Sequence, residues 1–423
     1  MKAAFSKFSL IINDRVLRKR ILFTLGALII FRVLSTIPIP GVDPFKLEGF
    51  LSSNQFFGLL NVFSGGGLSN LSIVMLGVGP YITASIIMQL LTIMSPKLKA
   101  MYQEEGEIGR KKFGQYTRLL TIPMGVIQAY GFLAILRTQG VIGTFGLYEF
   151  AINILVVTAG SVLLMWIGEL ISEFGIGNGV SLLIFSGIVA GLPAGIARFQ
   201  FTFDVAQIPI YLALLVVTLL IIIGVVVVTE AERPIPITYA KRVRGMKVYG
   251  GISTYLPLRL NQAGVIPIIF ALSILLFPQM IFNFLANVQN VTVKTIAAQV
   301  LSWLANGWIY AAIYFVLVFV FTYFYTAVTF DPDSIATNLQ KSGAFIPGVR
   351  PGQSTSEHVA RILTRLTLVG ALFLGFIAVL PLAIQASTGI TSFAIGGTAL
   401  LIVVSVVIDL IKKIDAQVSI REY

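Results

Sequence analysis

Cysteine is absent from this 423-residue chain, and histidine occurs once, at His358. No disulfide, thiolate metal site, histidine triad or HExxH zinc motif can therefore be built from it. Charge is also scarce. Only 11% of residues are Asp, Glu, Lys or Arg, against about 25% in an ordinary soluble domain. Acidic residues are the scarcer kind, 18 against 30 basic ones, for a net charge of +12. No GxxxxGK[ST] loop is present, so any nucleotide hydrolysis belongs to another protein. The first apolar run ends in TIPIPG and lacks a small-residue cleavage site, so no cleavable signal peptide is expected.

Apolar residues are abundant, at 57%, and the chain reads as a polytopic membrane protein. Stretches near 17–25 residues are candidate spans. Ten are expected, at 21–37, 71–94, 119–136, 151–171, 180–197, 208–228, 263–285, 303–329, 366–384 and 393–411. Gly187, Gly191, Pro193 and Gly195 thin the fifth.

Basic residues set the orientation. The segments before span one, after spans two, six and eight, and after span ten carry 25 of the 30. The opposite loops carry only Lys46, Arg137, Arg198 and Lys294, and Arg32 lies within span one. Both termini are therefore expected in the cytoplasm, with an even number of spans between them. The cytoplasmic loops 95–118, 229–261 and 331–365 are basic and longer than topology needs. Loops of that length are usually functional, and these have the composition of docking surfaces for an acidic partner.

Chemistry inside the membrane is hard to assemble from these residues. Arg32 lies in the outer half of span one, while Glu169 and Asp409 sit near cytoplasmic span ends. No acidic pair or histidine relay occupies a midplane position, so a coupled transporter lacks its usual site. An intramembrane enzyme lacks nucleophile, base and metal ligands. What recurs is irregularity. Pro80 interrupts span two, Pro267 and Pro278 lie in span seven, and FGIGNGVS opens span five. The most unusual stretch is 56–70, an apolar half-segment broken by Ser64–Asn70 just before span two. Irregular backbone at membrane depth is tolerated only where protein covers it or where it lines a cavity.

Several motifs carry a resemblance. They are STIPIPG (35–41), FSGGGLS (63–69), GPYITASIIMQLL (79–91), GEIGRKKFGQYTR (106–118), MWIGELISEFGIGNGVS (165–181) and YAKR (239–242). NQAGVIPIIF (261–270), KSGAFIPGVRPG (341–352), RLTLVGALFL (365–374) and GGTALLIVV (396–404) follow in order. From about Arg20 to Ile411 the chain resembles the SecY family, the channel subunits of the protein-export translocon.

The resemblance implies an all-α fold of ten transmembrane helices, in two pseudo-symmetric inverted five-helix halves around a central pore with a plug helix. It divides the chain into a cytoplasmic segment 1–20; an N-terminal half 21–197 with the plug at 56–70; span six and a basic loop, 198–262; spans seven to ten, 263–411, with the loop 331–365; and a cytoplasmic tail 412–423. Phe63, Ser64, Gly65, Gly66, Gly67 and Leu68 become the plug seam. Val78, Ile82, Ile86, Val180, Ile184, Ile269 and Ile402 become an aliphatic pore ring that closes by dewetting. Positions 78, 82 and 86 are four apart, on one helix face. Val78 and Val180 stand where the family often has the larger isoleucine.

Thr83, Gln128 and Asn261 map to a lateral gate between spans two and three on one side and seven and eight on the other. Hydrogen bonds across such a seam average about 0.6 kcal/mol each in membranes. Arg242, Arg244, Lys247, Lys341 and Arg350 match the loops that dock the motor ATPase SecA or the ribosome, whose RNA phosphates suit Arg and Lys. Pro234 follows Arg233 where the family often has a second basic residue. The implied function is translocation of unfolded secretory polypeptides across the cytoplasmic membrane and lateral release of transmembrane segments. The implied partners are SecE and SecG subunits, SecA, the ribosome, signal peptides, nascent polypeptides and membrane lipids. No cofactor or metal is implied, and the chain itself is expected to be a passive channel rather than an enzyme.

Overall fold

The computed structural model describes residues 14–39, 64, 66–68, 70–138, 140–143, 146–201, 208–239, 242–244, 247–249, 253–286, 290–388 and 396–419. The chain is mainly helical. The order is α1 (Arg15–Leu34), α2 (Gly79–Met94), α3 (Pro96–Gln103), α4 (Gly106–Thr138), α5 (Leu147–Phe174), α6 (Gly179–Phe201) and α7 (Ile208–Glu230). Strands β1 (Glu232–Tyr239), β2 (Arg242–Arg244), β3 (Lys247–Tyr249) and β4 (Ser253–Arg259) come next. Helices α8 (Ile266–Leu285), α9 (Val291–Ala305), α10 (Gly307–Thr329) and α11 (Pro332–Lys341), strand β5 (Ala344–Phe345), then helices α12 (Gln353–Thr388) and α13 (Gly396–Ser419) complete it.

Each expected span falls on a helix, but several boundaries differ. Among the described residues, α4, α5, α7, α10 and α12 are long and apolar enough to cross a membrane, and a sixth crossing is possible if α2 and α3 count as one broken span. Residues 71–78 are not helical. They are turns, with Gly77 at φ +58° and Leu71 at φ +40°, and the helix begins at Gly79. Pro80 therefore starts this helix rather than interrupting it, since its missing N–H costs nothing in a first turn. The helix stops at Ser95, which is extended (φ −122°, ψ 111°) as a residue before proline prefers to be. Helix α3 then leaves at 114°. Helix α4 starts thirteen residues before the expected span, so the GRKKFGQYTR motif is helical rather than a loop. A Glu107–Lys111 pair at i,i+4 and 3.1 Å supports that extension. Helix α9 was not anticipated; Asn290 caps it by accepting from the Thr292 N–H at 3.1 Å.

The chain divides into two compact units, Met1–Leu214 with Ser273–Tyr310 and Pro381–Tyr423, and Leu215–Leu272 with Ala311–Leu380. The core of the first is built from Leu68, Leu71, Met75 and Leu76 of the turn region, Phe132, Leu133 and Leu136 of α4, and Val157 of α5. Helix α5 crosses the turn region closely. A Cβ added at Gly160 would lie 2.1 Å from the Ile73 carbonyl oxygen, so only glycine fits there.

In the second unit β1 pairs antiparallel with β4 along its whole length, and β5 pairs only with Thr238 and Tyr239. Pro234 and Pro236 thus lie outside the part of β1 that β5 pairs, where a missing N–H is tolerated. Ile235, Leu258, Ile346, Val359, Ile362 and Leu363 form the core beneath this sheet.

Substituting Gly160→Ala should lower the stability of the detergent-solubilised protein by about 1–3 kcal/mol, the usual cost of overpacking. Gly26→Ala, where an added Cβ meets nothing within 4 Å, should leave the melting temperature unchanged. Equal melting of the two variants would contradict the close crossing of α5.

Candidate functional site

The first unit brings an irregular turn against two aliphatic side chains. Ser64, Gly66, Gly67, Leu68 and Asn70 are all in turns. The Gly67 N–H donates to Ser64 O at 3.3 Å, the Leu68 N–H to Ser64 Oγ at 3.1 Å, and the Ser72 N–H to Gly67 O at 2.9 Å. A Cβ at Gly67 would meet Ser72 Oγ at 2.9 Å and two carbonyl oxygens at 3.1 and 3.2 Å. The turn is laced to the chain leaving α1. Ile39 N–H donates to Leu71 O, Ile73 N–H to Ile37 O, both at 2.9 Å, and Asn70 Nδ2 donates to Ser35 O at 3.2 Å. These bonds satisfy backbone that no helix satisfies. Phe63 and Gly65, and residues 56–62 and 69 of the expected plug, lie outside the described residues.

Phe31, Ser64, Gly77, Val78, Leu164, Leu183 and Ile184 line one narrow crevice, too tight to admit water. Two residues expected in the pore ring, Val78 and Ile184, are thereby in one place with the expected plug seam. Val78 is the N-cap of α2, and its carbonyl accepts from the Ile82 N–H at 3.0 Å. Ile82 and Ile86, one turn apart on α2, are buried. Val180 is half-buried and its Cγ2 faces Gly168 of α5, 3.3 Å from a Cβ built there. Ile402 is buried on α13, a helix that packs on α6. Ile269 is buried in the second unit.

Of the three polar residues expected at the gate, two bond each other between α2 and α4 and the third bonds locally. Gln128 Nε2 on α4 donates to Thr83 Oγ1 on α2 at 3.1 Å, and the Thr83 hydroxyl donates to Gly79 O at 3.0 Å. Asn261 Nδ2 donates to Gly264 O at 3.2 Å. Glu169, expected near the cytoplasmic end of its span, accepts from Arg118 Nε at 2.7 Å, and Asp409 pairs with Lys413 at 3.0 Å.

The basic positions of the second unit lie on built structure. Arg242, Arg244 and Lys247 sit on the β2–β3 ribbon, where Arg244 and Lys247 are register partners. Lys341 ends α11 and is exposed, as is Arg350. The Arg350 segment is a tight loop. Gly343, Gly348 and Gly352 have φ of +71°, +82° and +100°, backbone angles that suit glycine. The Thr355 hydroxyl donates to Arg350 O at 2.8 Å. Ser356 Oγ donates to Asp333 Oδ1, tying α12 to α11. Sequence reasoning did not single out Thr355, Ser356 or Asp333, because short-range caps look like any other Ser, Thr or Asp.

The SecY family model matches residues 72–411. The protein translocase subunit SecY of Mycobacterium tuberculosis is 41% identical over 428 residues, covering 96% of each chain. A solved SecY structure, described by its plug domain stabilising the closed state of the translocation channel, shares the fold with a TM-score of 0.66 at 20% identity, covering 96% of this chain and 93% of that one. The Sec61 chain of a canine ribosome–channel complex is similar with a TM-score of 0.63 at 18% identity, with the same coverage of both chains. The family match over most of the length, with 41% identity to a curated relative, leaves one conclusion: this chain belongs to the SecY family.

Proposed function

We propose that this protein is the central subunit of a protein-conducting channel, moving unfolded polypeptides across the cytoplasmic membrane and releasing apolar segments sideways into lipid. Family membership carries the channel function, and one local observation carries its mechanism. That observation is the dry crevice where Ser64 meets Val78 and Ile184. An aliphatic constriction excludes ions by dewetting, and its side chains deform around a passing peptide without binding it specifically. Ser64–Asn70 acts as the plug seam above that constriction. Val78, Ile82, Ile86, Val180, Ile184, Ile269 and Ile402 act as the ring.

The gate opens between α2 and α4 on one side and α8 and α10 on the other, and ten spans in two inverted halves surround the pore. Thr83 and Gln128 bond each other, so they stiffen one wall of that gate and leave an entering signal helix little polar contact to break.

The chain acts as a passive conduit, and the driving free energy comes from a docked partner. The exposed Arg350 and Lys341, with Arg242, Arg244 and Lys247, form a cationic platform for SecA or for ribosomal RNA. The ribosome association of the canine relative supports this reading. The 25-to-4 asymmetry of basic residues supports cytoplasmic termini. SecE and SecG complete the complex in the lipid bilayer.

Arg350→Glu should slow SecA-driven export into vesicles about tenfold or more, a loss of at least roughly 1.4 kcal/mol in productive docking. Membrane insertion of the variant itself should be normal. Export at the parental rate would remove Arg350 from the docking surface. Deleting residues 56–70 should raise ion conductance across a bilayer holding the resting complex, and unchanged conductance would reject the plug. The absence of cysteine makes engineered disulfides unambiguous. A cysteine pair joining α2 to α8 should block export when oxidised and restore it when reduced, whereas export by the oxidised form would exclude a gate between them.

A further inference from the structure

An arginine within an expected membrane span is costly unless something receives it, and such a residue calls for a named partner. Arg32 lies in the last turn of α1. Its positive charge there complements the helix dipole, which accounts for the sign but not for the direction of the side chain. The Nη1 atom lies 3.6 Å from the position a Cβ would take on Gly66. Gly66 is the left-handed residue of the expected plug seam, at φ +81°. A guanidinium has five donors and no acceptor, which suits a non-helical turn whose backbone carbonyls keep acceptor capacity.

Helix α1 therefore holds the turn at two places. Downstream, the bonds of Ile37 and Ile39 with Ile73 and Leu71, together with Asn70 on Ser35, form a strap of main-chain character. Upstream, the Arg32 side chain approaches Gly66. A strap of several main-chain bonds parts less readily than a side-chain approach. The turn can leave the crevice by releasing Arg32 while the strap stays intact as the hinge.

We infer that Arg32 is a positioning residue that latches the 64–70 turn in its closed seat and so sets the resting leak of the channel. This inference rests on the plug reading above. The test uses the full chain with its partner subunits in planar bilayers, reading ion conductance without precursor. Arg32→Ala should raise the resting leak about tenfold, within the roughly 5–150-fold range typical of coupling between sites. Arg32→Lys keeps the charge at the helix end but lacks the fork, and should leak at an intermediate level. The leak caused by Arg32→Ala should vanish as a separate effect when residues 56–70 are also deleted.

A tight seal in Arg32→Ala, or full leak added on top of the deletion, would overturn the latch. If the deletion alone leaves conductance unchanged, the plug reading falls by itself, whatever Arg32→Ala does. Should Arg32→Ala fail to accumulate, Arg32→Lys decides: leak above the parental level supports the latch, and a tight seal counts against it.

Discussion

The constraint on which the rest depends is that the described residues between Ser64 and Val78 are not helical yet lie among apolar helices. Each unsatisfied peptide group in such a setting costs several kcal/mol. The chain meets this cost with consecutive turns and with the strap to the end of α1. Everything around the turn serves to cover it. Leu68, Leu71, Val74 and Met75 are fully buried, Gly160 lets α5 run directly against Ile73, and Leu133 and Leu136 of α4 close the far side. The first unit is in effect a housing for one irregular segment.

Hydropathy made the helices legible, because backbone in lipid has few alternatives to helix. The same logic hid the details. Residues 71–78 are as apolar as the helix that follows, so composition joined them to it, and only Gly77, Gly79 and Pro80 hinted at a late start. The charged first third of α4 looked like a loop because charge marks a membrane boundary, yet charge does not end a helix. The strands of the second unit were not read from the sequence, and they hold Pro234, Pro236 and Pro257. The first two are tolerated because β5 pairs only with the last two residues of β1, and Pro257 because β4 is an edge strand.

The site was legible in a different measure. Val78, Ile82 and Ile86 come from the family resemblance; spacing adds only that they share a face, and it cannot tell a pore-facing stripe from a lipid-facing one. The crevice that Ser64 lines together with Val78 and Ile184 is a long-range feature that no local pattern encodes. Thr83 and Gln128 were recognised as polar residues in apolar helices, but their bond to each other depends on how α2 and α4 cross. Val180 turns toward Gly168, a packing preference invisible without the neighbouring helix.

On the plug reading proposed above, the polar and apolar contacts of the turn divide the work of a seal. A seal against ions must exclude water, and a seal that opens for a peptide must not be expensive to break. Ser64 shares with Val78, Leu183 and Ile184 a narrow crevice with no room for water, so this side of the seal is mainly aliphatic. The turn's own hydrogen bonds run within it and to the strand leaving α1, so they travel with it or stay at the hinge. The docking platform proposed above follows the opposite rule. Lys341 closes α11, and Arg350 stands in a glycine-bracketed loop whose Ile346 and Val349 pack into the core beneath the β1–β4–β5 sheet, a base that suits a load-bearing contact. On this reading the seal yields where the polypeptide passes, and the platform holds where force is applied.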